Sequence, residues 1–119
     1  FVVTNFATSC IDIDDGATFT NGGTSATSLS GELTMTNTFL GCPSPFADAS
    51  TDPWSTAAWF AAQAGNSTGT ATLSGVVNSP AINALAPATF TDSFFDNTDY
   101  IGAVKDQKSD WAAGWVFSD

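Results

Sequence analysis

The sequence predicts a mainly-β fold with one short packed α-helix, and three observations indicate this class. Short runs of β-branched and aromatic residues alternate with turns rich in Gly, Asn and Asp. Residues 29–40 alternate apolar and polar side chains with a period of two, as a half-buried strand does. One alanine-rich segment, around residues 53–64, has the composition and the ends of a helix. We expect residues 1–119 to form a single domain. The alternative is that this domain is a fragment or a subunit of a larger assembly.

The predicted strands come first in the chain. Residues 1–7 and 9–13 are rich in β-branched and aromatic side chains and should be extended. Turns are expected at Asp14-Asp15-Gly16 and at Asn21-Gly22-Gly23. In residues 29–40 the apolar side chains share one face and threonines line the other, so this strand should pack its apolar face on the core.

The predicted helix spans residues 53–64. Asp52 is a suitable N-cap, and Pro53 has no hydrogen bond to lose at the first helical position. Gly65 can adopt the left-handed conformation that ends a helix. Trp54 and the alanines that follow form an apolar stripe that should pack on the sheet, which favours a core position for Trp54 over a ligand-binding one.

The second half of the chain is less regular. Residues 66–88 contain few large apolar side chains and predict a long surface excursion with one or two short strands around residues 70–77. Residues 90–117 are aromatic again and should cover one end of the core. Trp111 and Trp115 lie four positions apart, which suits either an aromatic platform for a sugar ring or a packed terminal cap.

The composition argues against several function classes. The chain has no histidine and no arginine, so neither a histidine-dependent nucleophile system nor a histidine-ligated metal site can be assembled within it. A formal charge of −10 opposes binding to nucleic acid and to anionic lipid surfaces. No apolar run approaches the roughly 20 residues of a membrane span. A carboxylate pair can cleave a glycosidic bond, but the arginines and histidines that usually orient sugars are missing. We therefore expect no enzyme, no nucleic-acid partner and no membrane insertion.

Two acidic clusters are the candidate metal sites. The first consists of Asp12, Asp14 and Asp15, and the second of Asp92, Asp96 and Asp99. Carboxylates are ligands that Ca²⁺ prefers, but neither cluster has the spacing of an EF-hand. Aspartates in such positions also cap turns by accepting backbone hydrogen bonds, and this is the interpretation we favour. Calcium binding stays the alternative, and no other cofactor is predicted.

The two cysteines, Cys10 and Cys42, predict a disulfide. An even number of cysteines in a secreted protein is normally bridged, and only one intramolecular pairing exists here. Two free buried thiols are the alternative. A redox-active pair is not expected, because the cysteines lack Cys-x-x-Cys spacing and basic neighbours.

The beginning of the chain predicts an assembly strand. The chain opens at Phe1 without an initiator methionine or a signal peptide, which we interpret as processing or as a fragment of a longer polypeptide. Its first six residues have the pattern of a β-strand that begins before Phe1. We expect this strand to pair with a neighbour through the segment that contains Phe1, Val2, Val3 and Phe6.

Five short motifs are spread over most of the chain. They are Cys-Ile-Asp-Ile-Asp-Asp at 10–15, Cys-Pro at 42–43, Gln-Ala-Gly-Asn at 63–66, Phe-Phe-Asp-x-x-Asp-Tyr-Ile-Gly-Ala at 94–103 and Asp-Trp-x-x-Gly-Trp at 110–115. Together they resemble the C-terminal segment of large secreted bacterial β-helix surface proteins and lipoproteins, most of which have no assigned function. The resemblance implies the terminal coils of a right-handed parallel β-helix, with a small β-sandwich-like domain as the alternative. It also favours the packed cap at Trp111 and Trp115.

The resemblance and the composition together lead to one functional expectation. We expect a secreted structural or adhesive component of the cell surface or of an extracellular filament, self-assembling through β-strand pairing. Its partners would be copies of itself, in a homo-oligomer or filament, or the upstream β-helix rungs of a parent chain. The alternative is an extracellular module that binds carbohydrate or calcium.

Overall fold

A computed structural model describes residues 1–115, and short strands dominate it. In chain order its elements are β1 (Val2–Thr4), β2 (Ser9–Asp12), α1 (Gly16–Gly22), β3 (Gly23–Ser25), β4 (Ser28–Leu29), β5 (Phe39–Gly41), β6 (Ser44–Ala47), α2 (Thr56–Ala61), β7 (Ser67–Thr68), α3 (Pro80–Asn83) and a 3-10 turn at Gln107–Ser109. The predicted mainly-β class is confirmed, but the described residues contain three short α-helices where the sequence predicts one.

The strands stack in parallel layers. The order β1-β5-β7 forms a three-stranded parallel sheet, and β2 and β6 form a second parallel pair. The chain therefore passes through the first strand position three times and through the second strand position twice. We call β1 and β2 the first layer, and β5 and β6 the second layer. The remaining pair, β3 and β4, is a small antiparallel hairpin beside them.

The three-stranded sheet has a hydrophobic cluster on each face. Neighbouring residues of a strand point to opposite faces, so Phe39 and Leu40 of β5 anchor different clusters. The inner cluster consists of Leu40, Trp59 and Phe60, with Val3, Ile11 and Phe46 packed against it. The outer cluster consists of Phe39, Ile82 and Ile101, with Val2, Leu73 and Leu85 packed against it. The inner cluster thus fills the space between the sheet, α2 and the β2–β6 pair.

The predicted disulfide is confirmed and joins the two layers. Cys10 lies in β2, and Cys42 follows β5, with 5.7 Å between their Cα atoms. Cys42 is buried, and Cys10 packs against the inner cluster. A bridge across a separation of 32 residues stabilises a fold by roughly 3 to 4 kcal/mol on the chain-entropy estimate.

The predicted helix is present but shorter than expected. It begins at Thr56 because Ser55, not Asp52, is its N-cap: Ser55 Oγ accepts a hydrogen bond from the Ala58 N–H at 3.2 Å. Asp52 closes the turn before the helix instead, accepting from the Ala49 N–H. The left-handed conformation predicted for Gly65 is confirmed, with φ 72°.

Two predictions in the first half are wrong in detail. The expected turn around Asp15 is the start of α1, where the Asp15 carboxylate accepts from the Ala17 N–H at 2.8 Å. Residues 29–40 do not form one strand, although their alternation of exposure largely persists from 32 to 36. Asn37 adopts a left-handed φ of 48°, and the Met35 N–H donates to the Gln63 side chain instead of a strand.

The second half also departs from prediction. The excursion expected in residues 66–88 contains α3, and near residues 70–77 it contains only isolated bridges between Ser74 and Val77 and between Val77 and Val104. The expected aromatic cover is wrong for five side chains, which are exposed: Phe90, Phe94, Phe95, Trp111 and Trp115. Phe117, the last residue of that prediction, lies outside the described residues.

Candidate functional site

The first layer ends in two free strand sides. Within residues 1–115, β1 pairs only with β5, and β2 pairs only with β6. Because both partners belong to the second layer, both free sides face away from it. We call the free sides of β1 and β2 the open edge.

Hydrogen bonding between the two layers determines which backbone groups the open edge presents. The Phe39 N–H donates to the Phe1 carbonyl at 2.9 Å, and the Ser44 N–H donates to the Thr8 carbonyl at 3.3 Å. In a parallel ladder, alternate residues of a strand bond to opposite neighbours. The residues between the bonded ones therefore direct their N–H and C=O groups outward, namely Val2, Thr4, Ser9 and Ile11.

The side chains along the open edge are mostly uncharged. Residues 1–11 contain no Asp, Glu, Lys or Arg, and Asp12 at the end of β2 is the one charged side chain of the two strands, so β1 lacks the charged side chains that commonly prevent edge-to-edge pairing. Phe1 is 80% exposed and Phe6 is 59% exposed, whereas Val2 and Val3 are half-buried. The residues predicted as the assembly strand therefore lie on or beside this edge.

The other side of the stack is protected. We call the free sides of β6 and β7 the opposite edge. Ser44 bonds to the first layer, so Pro45 faces outward, and proline has no N–H to donate. The strand β7 has only two residues, both polar. Short strands and prolines are common devices against pairing.

Burial falls from β5 to β1. Phe39 and Leu40 are 5% and 0% exposed, whereas Val2 and Val3, their partners in register, are only half-buried. The inner and outer clusters both continue to the open edge and are incompletely covered there. Covering a large apolar side chain fully is worth about 1.5 to 3 kcal/mol, so pairing at this edge would bury apolar surface as well as satisfy backbone groups.

A cleft of about 510 Å³ lies beside β1. Its walls include Phe1, Val2, Leu73 and Val76, and none of its lining side chains is charged. Gly102 shapes one wall with φ 86°, where a Cβ would lie 2.9 Å from both Val2 Cγ2 and Asn78 Oδ1. A second cleft of about 420 Å³ shares Phe1 and Gly102 with the first.

Side-chain amides hold the layers in place, and composition alone did not reveal this role. The Asn66 amide donates to the Met35 carbonyl at 2.6 Å and to the Phe60 carbonyl at 2.9 Å, and its oxygen accepts from the Thr38 N–H at 3.0 Å. Asn78 donates to the Ile101 carbonyl at 2.6 Å. Asn66 belongs to the Gln-Ala-Gly-Asn motif, so the motif itself was the available signal.

The structure does not assemble the predicted acidic clusters into a metal site. Within the described range, no group of three or more His, Cys, Asp or Glu side chains could hold a metal ion. Asp15 caps α1, Asp92 accepts from the Phe94 N–H at 2.9 Å, and Asp99 pairs with Lys105. The residues of the predicted clusters are Asp12, Asp14, Asp15, Asp92, Asp96 and Asp99. Asp15 and Asp92 accept hydrogen bonds from nearby backbone N–H groups in a helix cap and a turn. Calcium binding stays a prediction.

Asp99 and Lys105 form a salt bridge. The hydrogen bond from Lys105 lowers the pKa of the Asp99 carboxyl and raises the pKa of the Lys105 ammonium. Both groups are solvated, so the pair is a surface feature and not a buried catalytic one.

The predicted terminal cap at the two late tryptophans is wrong. Trp111 is 71% exposed and Trp115 is 89% exposed, while Ala112 between them is the side chain that packs inward. Trp111 is nevertheless held in place, because its indole N–H donates to the Ala103 carbonyl at 2.9 Å. An exposed ring with a fixed orientation keeps the platform interpretation open.

Comparison of the chain with protein-family models, curated proteins and solved structures found no match. The resemblance to bacterial β-helix surface proteins therefore stays a prediction. Among residues 1–115, no helix combines the length and the apolar character needed to cross a membrane.

Proposed function

We propose that this chain is a structural component of an extracellular assembly and that it ends a stack of parallel strand layers. The contrast between its two edges carries the proposal. The open edge offers two free strands whose one charged side chain is Asp12, at the end of β2, whereas Pro45 and the short polar β7 protect the opposite edge. A strand pair that adds to β1 and β2 would continue the ladder of the existing layers.

The terminal coils of a right-handed parallel β-helix are the architecture that we propose for this stack. All pairing between layers is parallel, which supports coils over the antiparallel sheets of a β-sandwich. We propose a right-handed helix because connections between parallel strands of one sheet are right-handed in nearly all proteins. The partner at the open edge is then an upstream rung of a parent chain or another copy of this chain. The disulfide supports a location in an oxidising compartment, outside the cell or on its surface.

Protection of one edge favours a closed association over an endless filament. A filament of identical chains needs the open edge of one copy to pair with the opposite edge of the next. Pro45 removes a donor from that second surface, and β7 offers little length for pairing. Copies would instead join open edge to open edge as an antiparallel pair, which closes after two, whereas an upstream rung of a parent chain would add in parallel.

The oligomeric state tests this proposal. We expect wild-type protein to form dimers in light scattering on a sizing column, and Val2→Pro to shift them to monomers. This variant deletes an outward-facing N–H and leaves the bonds to β5 in place. Thr68→Pro is the matched control, because Ser67 and Gly69 make the inward bonds of β7 and Thr68 faces outward. Wild-type protein that stays monomeric at millimolar concentration would argue against self-assembly.

A second candidate function is carbohydrate binding at Trp111. The observation that favours it is the indole ring, which is exposed yet fixed by the hydrogen bond to Ala103. Such a ring offers an apolar face to a sugar without losing conformational freedom on binding. Titration of soluble cello- and chito-oligosaccharides should quench tryptophan fluorescence, and Trp111→Ala should abolish saturation while Trp115→Ala retains it. Equal binding by wild type and Trp111→Ala would exclude this site.

A further inference from the structure

Residues in register form columns across the three-stranded sheet, and one column is unfinished. On the outer face it consists of Val2, Phe39 and Ser67. Phe39 is buried in the outer cluster, and Ser67 ends the column with a small polar side chain. At the open edge the column stops at Val2, which is covered only in part. The next position in this column is therefore the one that a partner strand would supply.

The cleft beside β1 lies next to that position. Val2 and Phe1 belong to its wall, together with Leu73 and Val76 from the segment that covers the outer face. A volume of about 510 Å³ leaves room for a bulky side chain. The side chains that line the cleft carry no charge although the chain has a formal charge of −10, and the Phe1 ammonium donates to the Asn37 carbonyl. A charged side chain entering the cleft would lose hydration without gaining an oppositely charged side chain.

We propose that the strand pairing with β1 is an extended, uncharged segment that places a bulky apolar side chain in this cleft. In a strand that adds parallel to β1, as an upstream rung would, the residue concerned is the one in register with Val2, as Val2 is in register with Phe39. This inference rests on the proposed strand pairing at the open edge. It adds a specificity position: backbone groups of Val2 and Thr4 hold the partner strand, and the cleft selects its side chain.

A labelled peptide with the sequence of the first layer is the probe. It consists of residues 1–13 with C10S, carries a fluorescein at its C-terminus, and is made with Phe, Val, Ala or Asp at its second position. Binding to the native protein is followed by fluorescence anisotropy. We expect the Phe peptide to bind about tenfold more tightly than the Ala peptide, because it buries more apolar area. The Asp peptide should not bind measurably.

Variants of the protein separate cleft recognition from strand pairing. Val76→Asp charges the cleft from an exposed turn that the Ser74–Val77 bonds define, so it should fold normally and bind the Phe peptide about tenfold more weakly. Thr24→Asp introduces the same charge at an exposed position on β3 and should leave binding unchanged. Thermal unfolding followed by circular dichroism checks that both variants are folded.

The outcomes distinguish the two proposals. Equal binding of the Phe, Val and Ala peptides, unaffected by Val76→Asp but abolished by Val2→Pro, would overturn cleft recognition and retain strand pairing. No binding of any peptide at millimolar concentration, or binding that Val2→Pro leaves intact, would overturn both. The expected order of the peptides together with the loss in Val76→Asp supports both.

Discussion

Residues 1–68 and residues 69–115 are stabilised in different ways. The first region contains every strand longer than one residue, the disulfide and the inner cluster. The described second region contains α3, a 3-10 turn and isolated bridges, and it packs on the sheet through the outer cluster. The comparison teaches that a strand ladder and a cross-link set the architecture, while the second region covers one face of it.

Side-chain amides compensate for missing ladders in both regions. Asn66 makes three bonds to backbone groups around the second layer, and Asn78 bonds to the Ile101 carbonyl and to Asn83. Asn97 bonds to both the N–H and the carbonyl of Phe90. Short asparagine side chains supply donors and acceptors to backbone groups where no strand is adjacent, at a part-buried position for Asn66, a buried one for Asn78 and an exposed one for Asn97.

The largest expected effect is loss of the inner cluster. Trp59→Ala removes the largest fully buried side chain and should lower the free energy of unfolding by about 3 to 5 kcal/mol. Ile82→Ala, at an equally buried position in the outer cluster, should have a smaller effect of about 2 to 4 kcal/mol. Urea unfolding of both variants measures the difference. If Ile82→Ala is the more destabilising variant, the second region carries more of the stability than we infer.

The disulfide should have the next largest effect. Replacing Cys10 and Cys42 together by alanine should lower the free energy of unfolding by roughly 3 kcal/mol, since the two layers lose their cross-link. Backbone amides of the first layer should then exchange with deuterium faster than those of α3. Dithiothreitol should destabilise wild type and leave the double variant unchanged. Equal exchange in both regions would show that the bridge does not act on the layers selectively.

The asparagine amides offer a direct comparison of the two regions. Asn66→Ala leaves three backbone groups without partners and should be destabilising by about 3 kcal/mol. Asn78→Ala leaves the Ile101 carbonyl and Asn83 Oδ1 without the Asn78 donor, and we expect the free energy of unfolding to fall by about 2 kcal/mol. Chemical denaturation checks the order. A reversal of the order would place the more important amide in the second region.

Local signals in the sequence were sufficient for several elements. Cys10 and Cys42 predicted their bridge because no other pairing exists, and residues 1–7 and 9–13 contain β1 and β2 as expected. The helix in residues 53–64 was found because its alanines and Gly65 act locally. Its start was misplaced because Ser55 and Asp52 are equally good caps in sequence, and only tertiary contacts to Asp48 select Ser55.

The candidate site could be predicted only in part. Apolar residues at the start of the chain indicated an assembly strand, but protection of the opposite edge depends on which way Pro45 faces, and that is set by the register of β6 against β2. The cleft beside Val2 is formed by Leu73 and Val76, which are about 70 positions away in sequence. Exposure of Trp111 depends on the turn that directs Ala112 inward. These contacts are non-local, so no local pattern encodes them.

The smallest expected effect concerns the Asp48 carboxylate, which organises the start of α2. Burial raises its pKa, but hydrogen bonds from Ser55, Thr56 and Ala57 together lower it below the usual value. A lowered folded-state pKa means that the charged form stabilises the fold above the unfolded pKa of about 4 and that this contribution disappears as the pH falls through the folded value. Asp48→Asn should therefore be less stable than wild type by under about 1 kcal/mol at pH 7, because the carboxylate is largely solvated.

Thermal unfolding between pH 2 and pH 7 tests this sign. The melting temperatures of wild type and Asp48→Asn should differ at neutral pH and converge below about pH 4. Ser55→Ala removes one of the donors to the carboxylate and should reduce the same pH dependence in part. A difference that persists unchanged at pH 2 would mean that Asp48 acts through the shape of its side chain and not through its charge. Packing and cross-linking in residues 1–68 would then account for even more of the contrast between the two regions.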